Sequence, residues 1–471
     1  MTDKRTNQSH SPAKTPVGYH TLNPTTGELL KEFATLTDTE ADALLSRAHA
    51  AFLEWRTLPL ARRIALFHKF ADLMDANIDR FAHQITLEMG KPLSEGKMEA
   101  ALPGMIFRYF ADNAEEMLAE REIKVDGFSR VFTRREPVGV TLAIEPWNGP
   151  LYQSMRAAAP NLMLGNAVLM KPAEIVAGST LMMDEIFSEA GFPPHIYQSA
   201  LVSRDQVSRF IADPRIRAVA LTGSDWAGSI VGEQAGRHIK PVTLELGGSD
   251  AFIVLDYANP AAVANEAAAC RLFGIGQSCM SPKRAIITEK VADEFIKTYV
   301  EIFASQKVGD PFDPETTVGP LSSMAAADGL QAQYQDAIDK GATVLLSGGR
   351  IDGPGAFFKP AVLTGITSDM RLYHEEAFGP LGMIYVVPDA NAAIAVANAT
   401  KYGLGGTVFA DNLDEARRVA EALDTGMVGI NRYMGAPLAV PFGGTKASGV
   451  GRELGSIAMD GFANLKTYSI P

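Results

Sequence analysis

Val138-Gly139-Val140-Thr141-Leu142-Ala143-Ile144-Glu145-Pro146-Trp147-Asn148 is the stretch on which the fold turns. Residues 138–144 form a short run of apolar and β-branched side chains, and the run ends in the tail Glu145-Pro146-Trp147-Asn148. A run with no polar alternation reads as a strand covered on both faces. The same texture returns downstream. Residues 167–170 lead into Lys171-Pro172-Ala173-Glu174, 218–221 into Thr222-Gly223-Ser224, and 242–246 into Gly247-Gly248. Helical patterns separate these runs. Short buried strands alternating with helices predict a parallel, doubly wound sheet, in which ligands sit at the carboxyl ends of the strands. All four unusual tails fall at such ends.

A second α/β run begins near Ser249, with strands expected at 251–255, 285–288, 343–346, 383–387, 407–410 and 427–430 and helices at 291–305, 389–399 and 413–423. The predicted fold class is therefore α/β, two doubly wound Rossmann-like domains. Ahead of them, Thr37 and Glu40 have capping-box spacing, and Ala41, Leu44, Leu45, Ala48, Phe52 and Trp55 recur on one helical face. Two further helical segments are expected, 60–89 and 95–119. Asp126-Gly127, flanked by apolar and β-branched residues, predicts a hairpin over 123–136, a small β arm suited to assembly. Residues 465–470 read as a last strand. The polar start, 1–18, reads as a loose extension.

The chain has 471 residues and a net charge of −12, which argues against a nucleic-acid partner. No apolar run approaches the ~18 residues of a membrane span. Two cysteines, Cys270 and Cys279, allow at most one bridge and point to a reducing, cytoplasmic setting. The eight histidines show no zinc-binding spacing, so no metal is expected.

There is no Gly-x-Gly-x-x-Gly fingerprint and no P-loop. Thr222-Gly223-Ser224 instead joins a strand to a helix, where free amides and a hydroxyl suit a phosphate; Ser224 as a plain N-cap is the other reading. Lys171 and Glu174 either face solvent or hold ribose hydroxyls. Glu245, inside an apolar strand, is either paired in the core or tuned by burial for acid–base work. Asn148 is either a turn residue or an amide aimed at a developing oxyanion. Phe273-Gly274-Ile275-Gly276-Gln277-Ser278-Cys279 either presents one cysteine to a ligand on a small-residue approach or holds it as a small buried hydrophobe.

Together these motifs resemble the aldehyde dehydrogenase superfamily from about Leu22 onward. The resemblance rests on Pro146-Trp147-Asn148, Lys171-Pro172-Ala173-Glu174, Thr222-Gly223-Ser224, Leu244-Glu245-Leu246-Gly247-Gly248, Gly276-Gln277-Ser278-Cys279, Glu375-Glu376-Ala377-Phe378-Gly379-Pro380 and Pro441-Phe442-Gly443-Gly444. Leu246-Gly247-Gly248-Ser249-Asp250 and Gly451-Arg452-Glu453-Leu454 are similar to the succinate-semialdehyde dehydrogenases within it. The resemblance implies Cys279 as nucleophile, Asn148 as oxyanion donor and Glu245 as base. For the cofactor it implies Pro146, Trp147, Lys171, Glu174, Gly223, Ser224, Glu376 and Phe378. It implies NAD as cofactor, with NADP possible; Glu174 beside the adenosine ribose favours NAD, because a carboxylate repels a 2′-phosphate. Cys270 matches no family role and is assigned to the core.

The implied division is 19–120 with 137–248 as cofactor domain, 249–440 as catalytic domain, and 121–136 with 441–471 as an oligomerisation arm in a homodimer or homotetramer. The expected substrate is a small aldehyde, first succinate semialdehyde; the alternatives are a neutral aliphatic or aromatic aldehyde, a CoA-acylating reaction, or a silent protein on this fold. Of three anion-binding positions typical of the succinate-semialdehyde enzymes, this chain keeps Arg156 and has Phe273 and Ala436 at the others. Arg156 is the expected reader of the substrate carboxylate.

Overall fold

The computed structural model describes residues 18–471, so the expected N-terminal extension, Gly18 apart, lies outside the described residues. The first described element was not expected. Tyr19–Leu22 and Leu29–Phe33 pair antiparallel as a hairpin. The helix Asp38–Trp55 then begins with the expected capping box: the Glu40 N–H donates to Thr37 Oγ1 at 3.3 Å, and the Thr37 N–H to the Glu40 carboxylate at 2.8 Å.

The two long helices expected next are each broken once. The first divides into Leu60–Ala76 and Ile78–Met89, the second into Leu93–Asp112 and Ala114–Met117. Asn77 and Asn113 stand at the breaks, and each donates its side-chain amide to the carbonyl four residues back, at 2.8 Å. An asparagine that bonds its own helix competes with the backbone ladder, which is the physical reason for both interruptions.

The predicted doubly wound sheet has six strands in the order Gly449–Val450, Val242–Glu245, Ile216–Thr222, Val140–Glu145, Ala167–Pro172, Tyr197–Ser199. All neighbours are parallel except the first pair. From Val140–Glu145 the chain winds one way to Tyr197–Ser199, then returns to Ile216–Thr222 on the other side. The order thus reverses between Val140–Glu145 and Ile216–Thr222, and a crevice opens there at the carboxyl ends. Register keeps those ends level: Ile144 lies opposite both Leu221 and Lys171, and Thr222 opposite Glu245. The four tails singled out in the sequence therefore stand side by side.

The second sheet has seven strands in the order Thr343–Leu346, Ala361–Thr364, Leu381–Val387, Arg284–Thr288, Ala251–Val254, Gly405–Phe409, Met427–Ile430. Only its first pair is antiparallel. The arm is a three-stranded antiparallel sheet in which Arg130–Pro137 lies between Arg121–Ile123 and Ala463–Ile470. It is narrower than expected. Residues assigned to it from the sequence pair elsewhere: Thr445–Lys446 joins Tyr402–Gly403, and Gly449–Val450 extends the six-stranded sheet. These bridges are too short to show periodicity.

Among the described residues, no helix is long and apolar enough to cross a membrane, and no group of His, Cys, Asp or Glu is arranged to hold a metal ion.

Candidate active site

Cys279 opens onto a cavity of about 530 Å³ between the two sheets. The loop before it is shaped by sterics. Gly274, Ile275 and Gly276 all have φ between 60° and 70°. A Cβ on Gly276 would lie 2.4 Å from the Gly379 carbonyl, so this approach is open only to glycine. Buried Arg271 ties the loop down, donating to the carbonyls of Gly276, Ala377, Gly379 and Leu381 at 2.6–3.1 Å. Nothing in the sequence pattern marked Arg271.

Asn148 follows its strand and reaches the same loop. Its Nδ2 donates to the Gln277 carbonyl at 2.9 Å, and its Oδ1 accepts from Gln153 Nε2 at 3.1 Å. The amide is oriented from both ends, with an N–H aimed at the backbone beside Cys279. It lines the cavity with Cys279.

Glu245 ends its strand 2% exposed, with neither carboxylate oxygen hydrogen-bonded. Its surroundings form a buried polar knot of three carboxyls, Glu145, Glu245 and Glu453, with the guanidinium of Arg156. Burial above all, then the charge of Glu453, pushes the Glu245 carboxyl well above its usual range, while Arg156 and Arg452 pull it back. A carboxyl held this way keeps its proton more readily than a free glutamate does. Burial also pushes the Cys279 thiol up to about 11; Lys283 and Arg156 oppose that rise, and Glu376 and Glu245 add to it.

Arg156 lines the cavity as expected, but its guanidinium is 1% exposed and already has an internal counter-ion. Its Nε pairs with Glu453, Nη2 donates to Thr222 Oγ1 at 3.3 Å, and its guanidinium carbon lies 4.7 Å from the Phe442 ring centroid. It is a fixed, oriented cation rather than a free one. Phe273 and Ala436 line the cavity, as does Lys91, whose ammonium pairs with Glu99. Cys270 lines it too, half-buried, so its assignment to the core is corrected. It lies near the end of the helix Pro260–Leu272, where the wall of the cavity begins.

On the crevice side, Trp147 and Phe378 meet edge to face, with ring centroids 5.6 Å apart. Glu376 Oε1 accepts from Lys283 Nζ at 2.9 Å and from the Gly248 N–H at 3.2 Å. A Cβ on Gly247 would come within 2.5 Å of Oε2, so the glycine there makes room for this carboxylate. Ser224 caps the helix Asp225–Arg237, accepting from the Ala227 N–H at 3.2 Å, with Gly223 beside it. Lys171 Nζ donates to Glu174 at 2.9 Å. Pro146, Trp147, Lys171, Glu174, Gly223 and Ser224 thus stand at or just beyond the carboxyl ends of three neighbouring strands, where ligands of such sheets sit.

Residues 11–468 match the Aldehyde dehydrogenase family, and the chain belongs to that family. A succinate-semialdehyde dehydrogenase [NADP(+)] of Deinococcus radiodurans is 47% identical over 449 residues, covering 95% of this chain and 94% of its own. One of Mycobacterium avium is 42% identical, covering 96% of each. The crystal structure of succinic semialdehyde dehydrogenase from Streptococcus pyogenes in complex with NADP+ superposes with a TM-score of 0.93 at 40% identity, covering 96% of this chain and 100% of that one. The α/β class and the enzyme class expected from the sequence are both borne out.

The preference for NAD is not supported, since these relatives carry NADP in their names. The surroundings of Glu174 accord with this. Glu174 is not a lone carboxylate: burial raises it, but Lys171 and Arg204 outweigh burial and leave it below its usual range. Its charge is offset on the spot.

Proposed function

We propose that this chain oxidises succinate semialdehyde to succinate with NADP+. The observation that carries the reading is the 47% identity over 95% of the chain to an enzyme of that name; the geometry supplies a route. The Cys279 thiolate attacks the aldehyde carbon and forms a hemithioacetal. The Asn148 amide, oriented by Gln277 and Gln153, donates to the new oxyanion. A nicotinamide held by Glu376 and Phe378 would supply the acceptor for the hydride leaving this carbon. The thioester left on Cys279 is hydrolysed by water that loses its proton to Glu245, whose free oxygens and perturbed carboxyl suit a base. A built-in base favours transfer to water over transfer to CoA.

Arg156 meets the substrate carboxylate at the cavity wall, with Glu453 and Thr222 fixing its orientation. The remaining wall, with Met98, Leu102, Tyr152, Phe273 and Ala436, suits a short apolar stem. Glu376 and Phe378 would hold the nicotinamide ribose and ring, Gly223 and Ser224 a phosphate, and Lys171 and Glu174 the adenosine ribose. Exposed Arg204, whose charge is felt by both Lys171 and Glu174, is the group that accommodates the 2′-phosphate. The arm, with its unpaired edges, assembles copies of the chain into a dimer or tetramer.

The test is a panel of succinate semialdehyde, butanal and benzaldehyde with each dinucleotide, followed as reduced cofactor. Succinate semialdehyde with NADP+ is expected to give the highest kcat/KM. Preference for butanal or benzaldehyde would replace this reading with a neutral-aldehyde dehydrogenase.

A further inference from the structure

Four residues after Cys279, Lys283 touches both the backbone of that cysteine and the carboxylate of Glu376. Its side chain is 0% exposed. An ammonium has three hydrogens to donate, and Lys283 has three acceptors: the Ser278 carbonyl at 2.6 Å, the Cys279 carbonyl at 2.5 Å, and Glu376 Oε1 at 2.9 Å. Its nitrogen lies 5.9 Å from the centroid of the Phe378 ring. Gly248 closes the same junction. Its N–H shares Glu376 Oε1, and a Cβ on it would come within 2.6 Å of the Cys279 carbonyl. Glu376 Oε2 remains for a ligand.

We propose that Lys283 is a positioning residue that couples occupancy of the nicotinamide-ribose site to the reactivity of Cys279. It rests on the reading of Glu376 as a ribose ligand. In the free enzyme, Glu376 offsets the charge of Lys283. Ribose hydroxyls donating to Glu376 draw that carboxylate away from the ammonium, and the uncompensated positive charge then favours the thiolate beside it. The nucleophile is thereby armed when the hydride acceptor is in place, and protected from stray electrophiles otherwise. The other charged and titratable groups facing Cys279 are Arg156, which also favours the thiolate, Glu245, which opposes it, and the hydroxyls of Tyr152 and Tyr433.

The test reads the iodoacetamide alkylation rate of Cys279 against pH on the full-length protein, by mass spectrometry of the peptide that carries it. Lys283→Met is expected to slow alkylation at a given pH by about tenfold or more, the size of effect that loss of an adjacent opposite charge produces. Glu376→Gln, which removes the offsetting carboxylate, is expected to speed it. A structural defect has no reason to act with opposite signs at the two sites, so shifts in the same direction overturn the proposal. So does a wild-type profile in Lys283→Met. If Lys283→Met does not fold, the sign in Glu376→Gln decides.

The coupling is read with the 2′-phosphate of ADP-ribose, which has both riboses and no nicotinamide ring. It is expected to accelerate alkylation about fivefold in the wild type, the low end of site-to-site couplings, and to do nothing in either variant. Acceleration that survives in Lys283→Met refutes the coupling. If this probe binds Glu376→Gln as tightly as the wild type, the ribose reading of Glu376 fails, whatever the sign test shows.

Discussion

Arg156→Met tests the buried knot and the substrate reading together, provided it is compared with its double variant. The side chains of Arg156 and Glu453 are 1% and 3% exposed, so solvent does not screen the pair. Removing one partner of such a pair costs about 3–5 kcal/mol, because the other charge is left in the core. The cost falls at acid pH, where the raised carboxyls of Glu145, Glu245 and Glu453 take up protons and neutralise. Arg156→Met/Glu453→Leu removes both charges, and replacing a whole pair by apolar groups is often neutral. The double variant is therefore expected to recover most of the lost stability. Trp55, Trp147 and Trp226, the chain's three tryptophans, all lie in the half built on the six-stranded sheet, so their fluorescence in urea reports this loss. In the refolded double variant, the ratio of kcat/KM for succinate semialdehyde to that for butanal is expected to fall by about thirtyfold to several thousandfold, equivalent to 2–5 kcal/mol for a truncated charge pair. A single variant as stable as the wild type would refute the buried-pair account. A ratio unchanged in the double variant would show that Arg156 does not read the carboxylate.

Glu245→Gln is expected to keep the initial burst of reduced cofactor and to lower steady turnover by about 10²–10⁴-fold, as loss of a general base does; loss of the burst with thioester hydrolysis intact would place Glu245 in the wrong half of the reaction. Arg204→Ser should lower kcat/KM for NADP+ and leave that for NAD+ nearly unchanged, and equal losses with the two cofactors would contradict its 2′-phosphate role. Catalysis should strengthen as pH rises from 7 to 9, because the Cys279 thiol, pushed up to about 11, holds a proton it must lose to act; a kcat/KM for the aldehyde that falls over this range would refute that sign. Cys279→Ala should abolish dehydrogenase activity and Cys270→Ala should retain it, as steady-state rates will show.

The sheets were legible because strands buried on both faces leave continuous apolar runs, and 138–144 or 242–246 can be little else. The candidate site was legible where a residue type is out of place in such a run, as with Glu245 in its apolar strand and Asn148 after Trp147. What escaped the sequence was pairing. Nothing near Arg156 announces Glu453, and nothing near Glu376 announces Lys283, because burial brings together groups that are far apart in the chain. Cys270 looked like core because its helix is rich in small apolar residues, whereas its position near the helix end puts it in the cavity wall. The NAD preference failed for the same reason. A glutamate that stands alone in the sequence is a carboxylate paired with Lys171 and facing the charge of Arg204 in the fold.

The return of the chain to the six-stranded sheet has a consequence for its synthesis. Val242–Glu245 is made well before its outer neighbour Gly449–Val450, and the helix Pro150–Leu164 that bears Arg156 is made well before Glu453. Between them the ribosome must make the entire seven-stranded sheet. Until then the strand edge beside Glu245 is bare and Arg156 lacks its paired carboxylate, Glu453, although a chain of that length already holds Asn148, Glu245 and Cys279. Ribosome-bound chains stalled before residue 449 should therefore recruit chaperones to that edge, and release from them should coincide with the first detectable turnover.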